Sequence, residues 1–215
     1  MGAADLDRWC RRHLGTGVDQ VLFSAGHLST VLGVELASGR QVVVKIRHRS
    51  DRLTGCAAVH RRLFDRGFPC PEPLIDLEPM GSLAASAEAM VSGGSLYPPS
   101  GRTPGPFAEA LATLVALAPP PTEVASLDPL PAWMTPDLDA TALWPAPDDS
   151  DVDLNALGGP AWIDHAAWVA RSRLAASALP VVVGHGDIYT GNMTGSKIIS
   201  WPSGIGTARS RPPNL

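Results

Sequence analysis

A chain of 215 residues that is 45% hydrophobic and 18% charged can bury a real core, which excludes global disorder. A formal net charge of −4 gives no basic footprint, so no nucleic-acid partner is expected. Three widely spaced cysteines (Cys10, Cys56, Cys70) without a CxxC fit a reduced, cytoplasmic compartment, with neither a disulfide framework nor a zinc site.

In chain order, residues 4–14 read as a short amphipathic helix, because Leu6, Trp9, Cys10 and Leu14 recur at helical spacing. This segment lacks the apolar stretch of a signal peptide. No run further on approaches the ~20 apolar residues of a membrane helix, so no membrane partner is expected. "QVLFSAGHLSTVLGVEL" and "RQVVVKIRH" follow, rich in β-branched residues, with "ASGR" as the hairpin turn between them. Residues 51–67 read as a helix with Leu53, Cys56, Ala57, His60, Leu63 and Phe64 on one face and Gly67 as its stop. "FPCPEPL" breaks that helix and opens another extended segment. A Gly/Pro/Ser-rich connection after "AEAMVSGG" suggests a lobe boundary near Gly93, dividing the chain into residues 1–92 and 93–215. Two helices are expected beyond it, "PFAEALATLVALAPPP" and residues 160–177, the second with Ile163, Ala167, Ala170 and Leu174 on one face. The tryptophans at 133, 144, 162 and 168 read as core, although they could offer cation–π contacts to an ammonium group.

The chemistry concentrates in "GHGDIYTGN", Gly184–Asn192, which follows the apolar run 178–183. A strand ending in His-x-Asp, with Asn five residues after the Asp, is the layout of a phosphoryl-transfer loop. A carboxylate there accepts or orients the proton of an attacking hydroxyl, and an amide oxygen holds Mg2+. The short tether keeps both near the γ-phosphate, where positioning does most of the catalytic work. On this reading Asp187 is the base, Asn192 a metal ligand, and His185 braces the loop. The alternative is a turn that uses the same residues only for turn chemistry. Lys45 lies in a strand after a hairpin, where a kinase keeps its phosphate-binding lysine, or else is simply a solvated strand lysine. In "SAGHLST" (24–30), Ser24 and Gly26 sit where a loop would fold over phosphates. The segment is not GxGxxG, and an ordinary hairpin loop is the competing reading.

Taken in order, Lys45 in its strand, "RGFPCPEPL", the hinge and "GHGDIYTGN" resemble the aminoglycoside phosphotransferase and choline kinase-like family over roughly residues 20–200. That resemblance implies an α+β, two-lobed protein-kinase-like fold: an amino-terminal antiparallel sheet plus helix, and a mostly helical carboxy-terminal lobe, incomplete in this chain. It implies ATP in the cleft, Mg2+, and transfer of the γ-phosphate to a hydroxyl of a small molecule. It also implies that the segment around Met90 and Val91 supplies backbone hydrogen bonds to the adenine.

Two departures from the family pattern stand out. Family members pair the strand lysine with a Glu on the following helix. Here that place falls near Cys56, and no acidic residue lies between Asp51 and Asp65, so Lys45 is expected to lack its usual partner. Family members also carry a second metal-binding Asp, in an "IDW" or "DWD" motif beyond the Asn. No Asp or Glu follows Asp187 here, and Ser200 before Trp201 is a poor substitute for a carboxylate on Mg2+. The expectation is a carboxy-terminally truncated homologue. Synonymous codons chosen for Ser200–Ala208 read, from the third base of the first, as Val-Ala-Val-Gly-Asp-Trp-Asp-Arg, so a shifted frame would restore the motif. Sequencing the gene tests this. Loss of the helices that normally follow would expose apolar surface worth ~25 cal/mol per Å2, so low solubility or partial unfolding is expected.

The acceptor is not legible. Four carboxylates in "PAPDDSDVD" (145–153) could attract an amine-bearing substrate or be a solvated loop. His27, His48, His60 and His165 show no metal-ligand spacing and read as structural or exposed. The alternatives to a small-molecule kinase impaired in this copy are a pseudokinase that binds nucleotide or a protein partner, and an unrelated α/β binding module with a chance His-Gly-Asp turn.

Overall fold

The computed structural model describes residues 2–26, 29–91, 104–130, 142–144, 153–178, 180–186, 193–194, 197–198 and 205–209. Its first half is a helix, α1 (Ala3–Leu14), followed by strands β1 (Val18–Ala25), β2 (Thr30–Leu36) and β3 (Gln41–His48), helix α2 (Asp51–Asp65), and strands β4 (Pro73–Met80) and β5 (Leu83–Ala89). The five strands form one antiparallel sheet in the order β1-β2-β3-β5-β4. The run read as a single β-rich stretch, 20–36, is thus two strands folded back on each other, and α2 ends two residues before Gly67.

Period-two alternation explains the two faces of this sheet. In β3, Val42, Val44 and Ile46 look to one side, and Lys45 and Arg47 to the other. Opposite them, Ala85 and Ala87 of β5 join the first side. That side is sealed by Leu6, Trp9 and Cys10 of α1, so the amphipathic stripe expected for the first helix meets an apolar sheet face. Burial holds the Cys10 thiol up at about 11, that of an inert core cysteine.

Helix α2 packs away from this core. Cys56, Val59 and Leu63, with Phe68, form a second cluster with Leu114, Val124, Leu127 and Val183. Leu114 belongs to α3 (Pro104–Leu117) and Val183 to strand β6 (Val181–His185), while Leu127 ends the second of two 3-10 turns, Pro121–Glu123 and Ala125–Leu127, and Val124 joins them. The second core therefore draws on residues from both sides of position 93. Gly55 makes the closest approach possible: a Cβ there would lie 2.6 Å from Ser126 Oγ and 2.9 Å from Leu127 Cδ2. The Arg52 guanidinium caps the same contact by donating to the Leu127 carbonyl.

Helix α4 (Ala161–Ala175) departs from expectation, since none of its residues is buried. Trp162 and Trp168 are 70% and 59% exposed, and Ile163 and Leu174 also face solvent. These two tryptophans are therefore not core. Trp144 is half-buried, donating its Nε1–H to Asp164 Oδ1 at 3.0 Å, and Arg171 donates to the Ala142 carbonyl at 2.7 Å. The expected four-residue apolar face finds no apolar neighbour that buries it among the described residues. Trp133 lies outside them.

Strand β6 pairs antiparallel with Ile205–Arg209, from Val181↔Arg209 to His185↔Ile205. The Gly-, Ser-, Arg- and Pro-rich composition of residues 202–213 gives no sign of this strand. Backbone pairing needs no side-chain period, so Gly206 and Thr207 serve in a ladder that composition does not advertise. In the numbering used here this strand is β9, after the short pair β7 (Met193–Thr194) and β8 (Lys197–Ile198).

Candidate active site

Lys45 sits in the middle of β3, opposite Ser86 of β5 and Val31 of β2. Glu88 of β5 stands opposite Val43, one diagonal step away on the same face. The two side chains meet at 2.7 Å, Lys45 Nζ to Glu88 Oε1, with relative exposures of only 4% and 5%. The expectation that Lys45 lacks an acidic partner is thereby corrected. Between its terminal Asp51 and Asp65 the helix indeed offers no carboxylate, but the neighbouring strand does. Nor is Lys45 a solvated strand lysine. Burial pulls the Lys45 ammonium down from its ordinary value and pushes the Glu88 carboxyl up, and each charge opposes the other's loss. Arg47 shares the face, and burial lowers its pKa as well.

Beside the pair lies a small cavity of about 30 Å3 lined by Lys45, Arg47, Cys56, His60, Ser86 and Glu88 among others. Cys56 thus does reach the sheet at the place where the helix carboxylate was sought. His60 is buried one turn further on and donates Nε2–H to the Pro71 carbonyl at 2.8 Å, so it is structural. Its imidazole is held down to about 3, first by burial and then by the Lys45 charge.

His185 closes the arrangement from the other core. It ends β6, is buried, and is held down to about 4 by burial and by the charge of Lys45. The structure thus brings His185 within electrostatic reach of Lys45, though 140 residues separate them in the chain. Asp187 and Asn192 lie outside the described residues, which resume at Met193. Among the described residues no group of three or more His, Cys, Asp and Glu could hold a metal ion.

The depressed imidazoles predict a pH dependence. Free histidine titrates at 6.5, so the unfolded chain takes up protons below that pH while folded His60 and His185 do not. Their contribution to stability is complete above pH 6.5 and is lost as the pH falls toward 4 and then 3. The slope is about 1.4 kcal/mol per pH unit for each histidine. Denaturant melts at pH 7, 6 and 5 should show falling stability, and His60→Gln should flatten the slope. A profile level over that range would contradict the burial of both rings.

Of the expected nucleotide contacts, Ser24 lies in β1 opposite Leu32, and Gly26 begins the β1–β2 loop. Gly26 has φ of 125°, and a Cβ there would lie 1.8 Å from the Ser29 carbonyl oxygen. Only glycine fits so tight a return. Gly26→Ala should cost about 1–3 kcal/mol, read as a lowered melting temperature. Met90 donates its backbone N–H to the Gln41 carbonyl at 3.3 Å. That amide is committed to the sheet, which leaves Val91, the last described residue of this segment, as the nearer candidate for an adenine contact.

Glu88 is the residue that sequence reasoning missed. Its signal was present: one carboxylate within the alanine-rich strand "LAASAEA". What was not legible was that β5 pairs with β3 across the intervening β4.

A five-stranded antiparallel sheet with a buried lysine–carboxylate pair, facing the strand that leads into His-Gly-Asp, defines a kinase-like phosphotransferase. The chain belongs to the phosphotransferase enzyme family (APH), whose sequence profile matches residues 19–195. Solved structures share the fold at low identity. Spectinomycin phosphotransferase APH(9)-Ia, in complex with ADP and spectinomycin, is similar at a TM-score of 0.59 and 15% identity over 97% of this chain and 71% of that one. A thermostable mutant of aminoglycoside phosphotransferase APH(4)-Ia, with ADP and hygromycin B, gives 0.53 and 17% over 94% and 72%. Amicoumacin kinase hAmiN, in complex with AMP-PNP, Ca2+ and Ami, gives 0.54 and 14% over 96% and 66%. No curated protein matches the chain significantly.

Proposed function

We propose that the protein is an ATP-dependent phosphotransferase that moves the γ-phosphate to a hydroxyl of a small molecule, an aminoglycoside-like or other amino and hydroxy compound. The observation that carries this reading is the buried Lys45, held by a carboxylate and within reach of the strand that ends in His185. A lysine paired with a carboxylate in a dry site is suited to bind phosphate oxygens, and membership of the family supplies the reaction class. Structural relatives solved with ADP or AMP-PNP support a nucleotide in this cleft.

In this reading Lys45 binds the nucleotide phosphates, with Ser24 near the end of β1 and Gly26 in the loop after it lying above them. Val91 and its neighbours, Met90 included, line the adenine. Asp187 accepts the proton of the attacking hydroxyl and His185 braces its loop. The lobe boundary falls at residues 92 and 93. Asn192 would hold Mg2+, which supplies charge neutralisation between the phosphates when bound. An amide oxygen fits as one ligand of a hard cation. A cytoplasmic location is part of this reading; no helix among the described residues is long and apolar enough to cross a membrane.

Titration calorimetry with ATP and magnesium, followed by a coupled ATP-consumption assay over aminoglycosides, macrolides and amino alcohols, tests the proposal. Binding with measurable acceptor-dependent turnover is the expected outcome. Binding without turnover for any acceptor would favour the pseudokinase reading, and absence of binding would overturn both.

A further inference from the structure

We infer that Glu88 is the positioning residue for Lys45, doing from strand β5 what this family otherwise asks of a carboxylate on the helix after the lysine strand. The inference rests on the proposed role of Lys45 in phosphate binding. Four observations converge on it. Helix α2 presents Leu53, Cys56, Val59, His60 and Leu63 inward, and none is acidic. Cys56 and Glu88 line the same small cavity beside Lys45, so the carboxylate has changed element without leaving the site. The Lys45–Glu88 contact is short and almost fully buried, on the sheet face opposite the core formed by Val42, Val44, Ile46, Ala85 and Ala87. Desolvating two charges is costly, so a pair serving stability alone would be replaceable by apolar packing. Finally, His60 and His185 both feel the charge of Lys45, which places the ammonium between α2 and the end of β6.

The change of element has a mechanical consequence. A helix carboxylate holds the lysine only when the helix is docked, whereas β3 and β5 are hydrogen-bonded neighbours from Val42↔Ala89 to His48↔Leu83. Lys45 is therefore fixed by the sheet itself, and small movements of α2 leave it in place.

The test compares ligands that do and do not reach Lys45, using the full chain. Titration calorimetry is run with ATP plus magnesium and with adenosine, on the wild type, Glu88→Gln, Glu88→Asp, and Glu88→Gln combined with Cys56→Glu. Glu88→Gln keeps the shape and removes the charge. It should weaken ATP at least tenfold and leave adenosine within about twofold. Glu88→Asp, a milder change that keeps the fold if the first variant does not, should weaken ATP less but with the same selectivity. Returning the carboxylate to α2 through Cys56→Glu should recover part of the loss. Equal weakening of ATP and adenosine in Glu88→Asp would reduce Glu88 to a structural role and overturn the inference, as would unchanged ATP affinity in a folded Glu88→Gln. If the folded wild type binds adenosine but gains nothing from the phosphates of ATP, the reading of Lys45 itself falls, and this inference with it.

Discussion

Replacing Lys45 by methionine is expected to lower the stability of the chain by about 3–5 kcal/mol, the usual cost of leaving one member of a buried ion pair without the other. Glu88 would remain 95% buried, its nearest countercharge gone. Burial already pushes its pKa up, and losing the Lys45 charge that opposes this should push it further. Arg47, whose charge also reaches Glu88, is the group that could moderate the loss. The double variant Lys45→Met with Glu88→Leu removes both charges and should recover most of the stability, to within about 1–2 kcal/mol of the wild type. Guanidinium unfolding of the two single variants and the double variant closes a thermodynamic cycle that isolates the coupling. A coupling near zero would mean that the pair does not form in solution. The double variant also separates stability from function, because it should be well folded and should have lost its affinity for nucleotide phosphates.

The other large effect is expected at Asp187. As the group that takes the proton of the attacking hydroxyl, it should supply about 10²–10⁴ of the rate. Asp187→Asn should therefore reduce acceptor-dependent turnover by that factor while ATP affinity stays within about threefold. Steady-state kinetics on the acceptor with the best wild-type rate, alongside calorimetry for ATP, distinguishes the possibilities. A parallel loss of ATP affinity would make Asp187 a ligand-holding group and not the base. Selectivity of this kind is what separates a proton acceptor from a residue that only shapes the turn after β6.

The two predictions draw on different levels of the molecule. The role of Asp187 follows from local spacing, His185-x-Asp187 and then Asn192, which any reader of the chain can see. The energetics of Lys45 follow from a contact between strands 43 residues apart. Local sequence predicted most elements of the first half because helices and hairpins are built from neighbours. Leu6, Trp9 and Cys10 mark the buried side of α1 by their spacing alone. Leu53, Cys56, His60 and Leu63 do the same for α2, although Gly55 and Val59 were not recognised as part of its buried surface. Gly55 is buried because Leu127 approaches it, and nothing within α2 announces that.

Where local pattern and burial disagreed, the reason was a missing or unforeseen neighbour. Helix α4 formed as its sequence suggested, yet its tryptophans face solvent, since an apolar face becomes core only when another element covers it. The strand Ile205–Arg209 formed with no apolar alternation to reveal it, because β6 offered an open edge. By itself, then, the sequence determined the order of elements in the first half, the His-Gly-Asp spacing and the family. Only the tertiary structure decided that Lys45 is buried, that its carboxylate comes from β5, and that His185 lies close enough to feel its charge. These depend on register across the sheet order β3-β5-β4, in which the strand that neighbours β3 in space is not the next in the chain. A diagonal pair on such a ladder is set by long-range pairing, and no window of neighbouring residues encodes it.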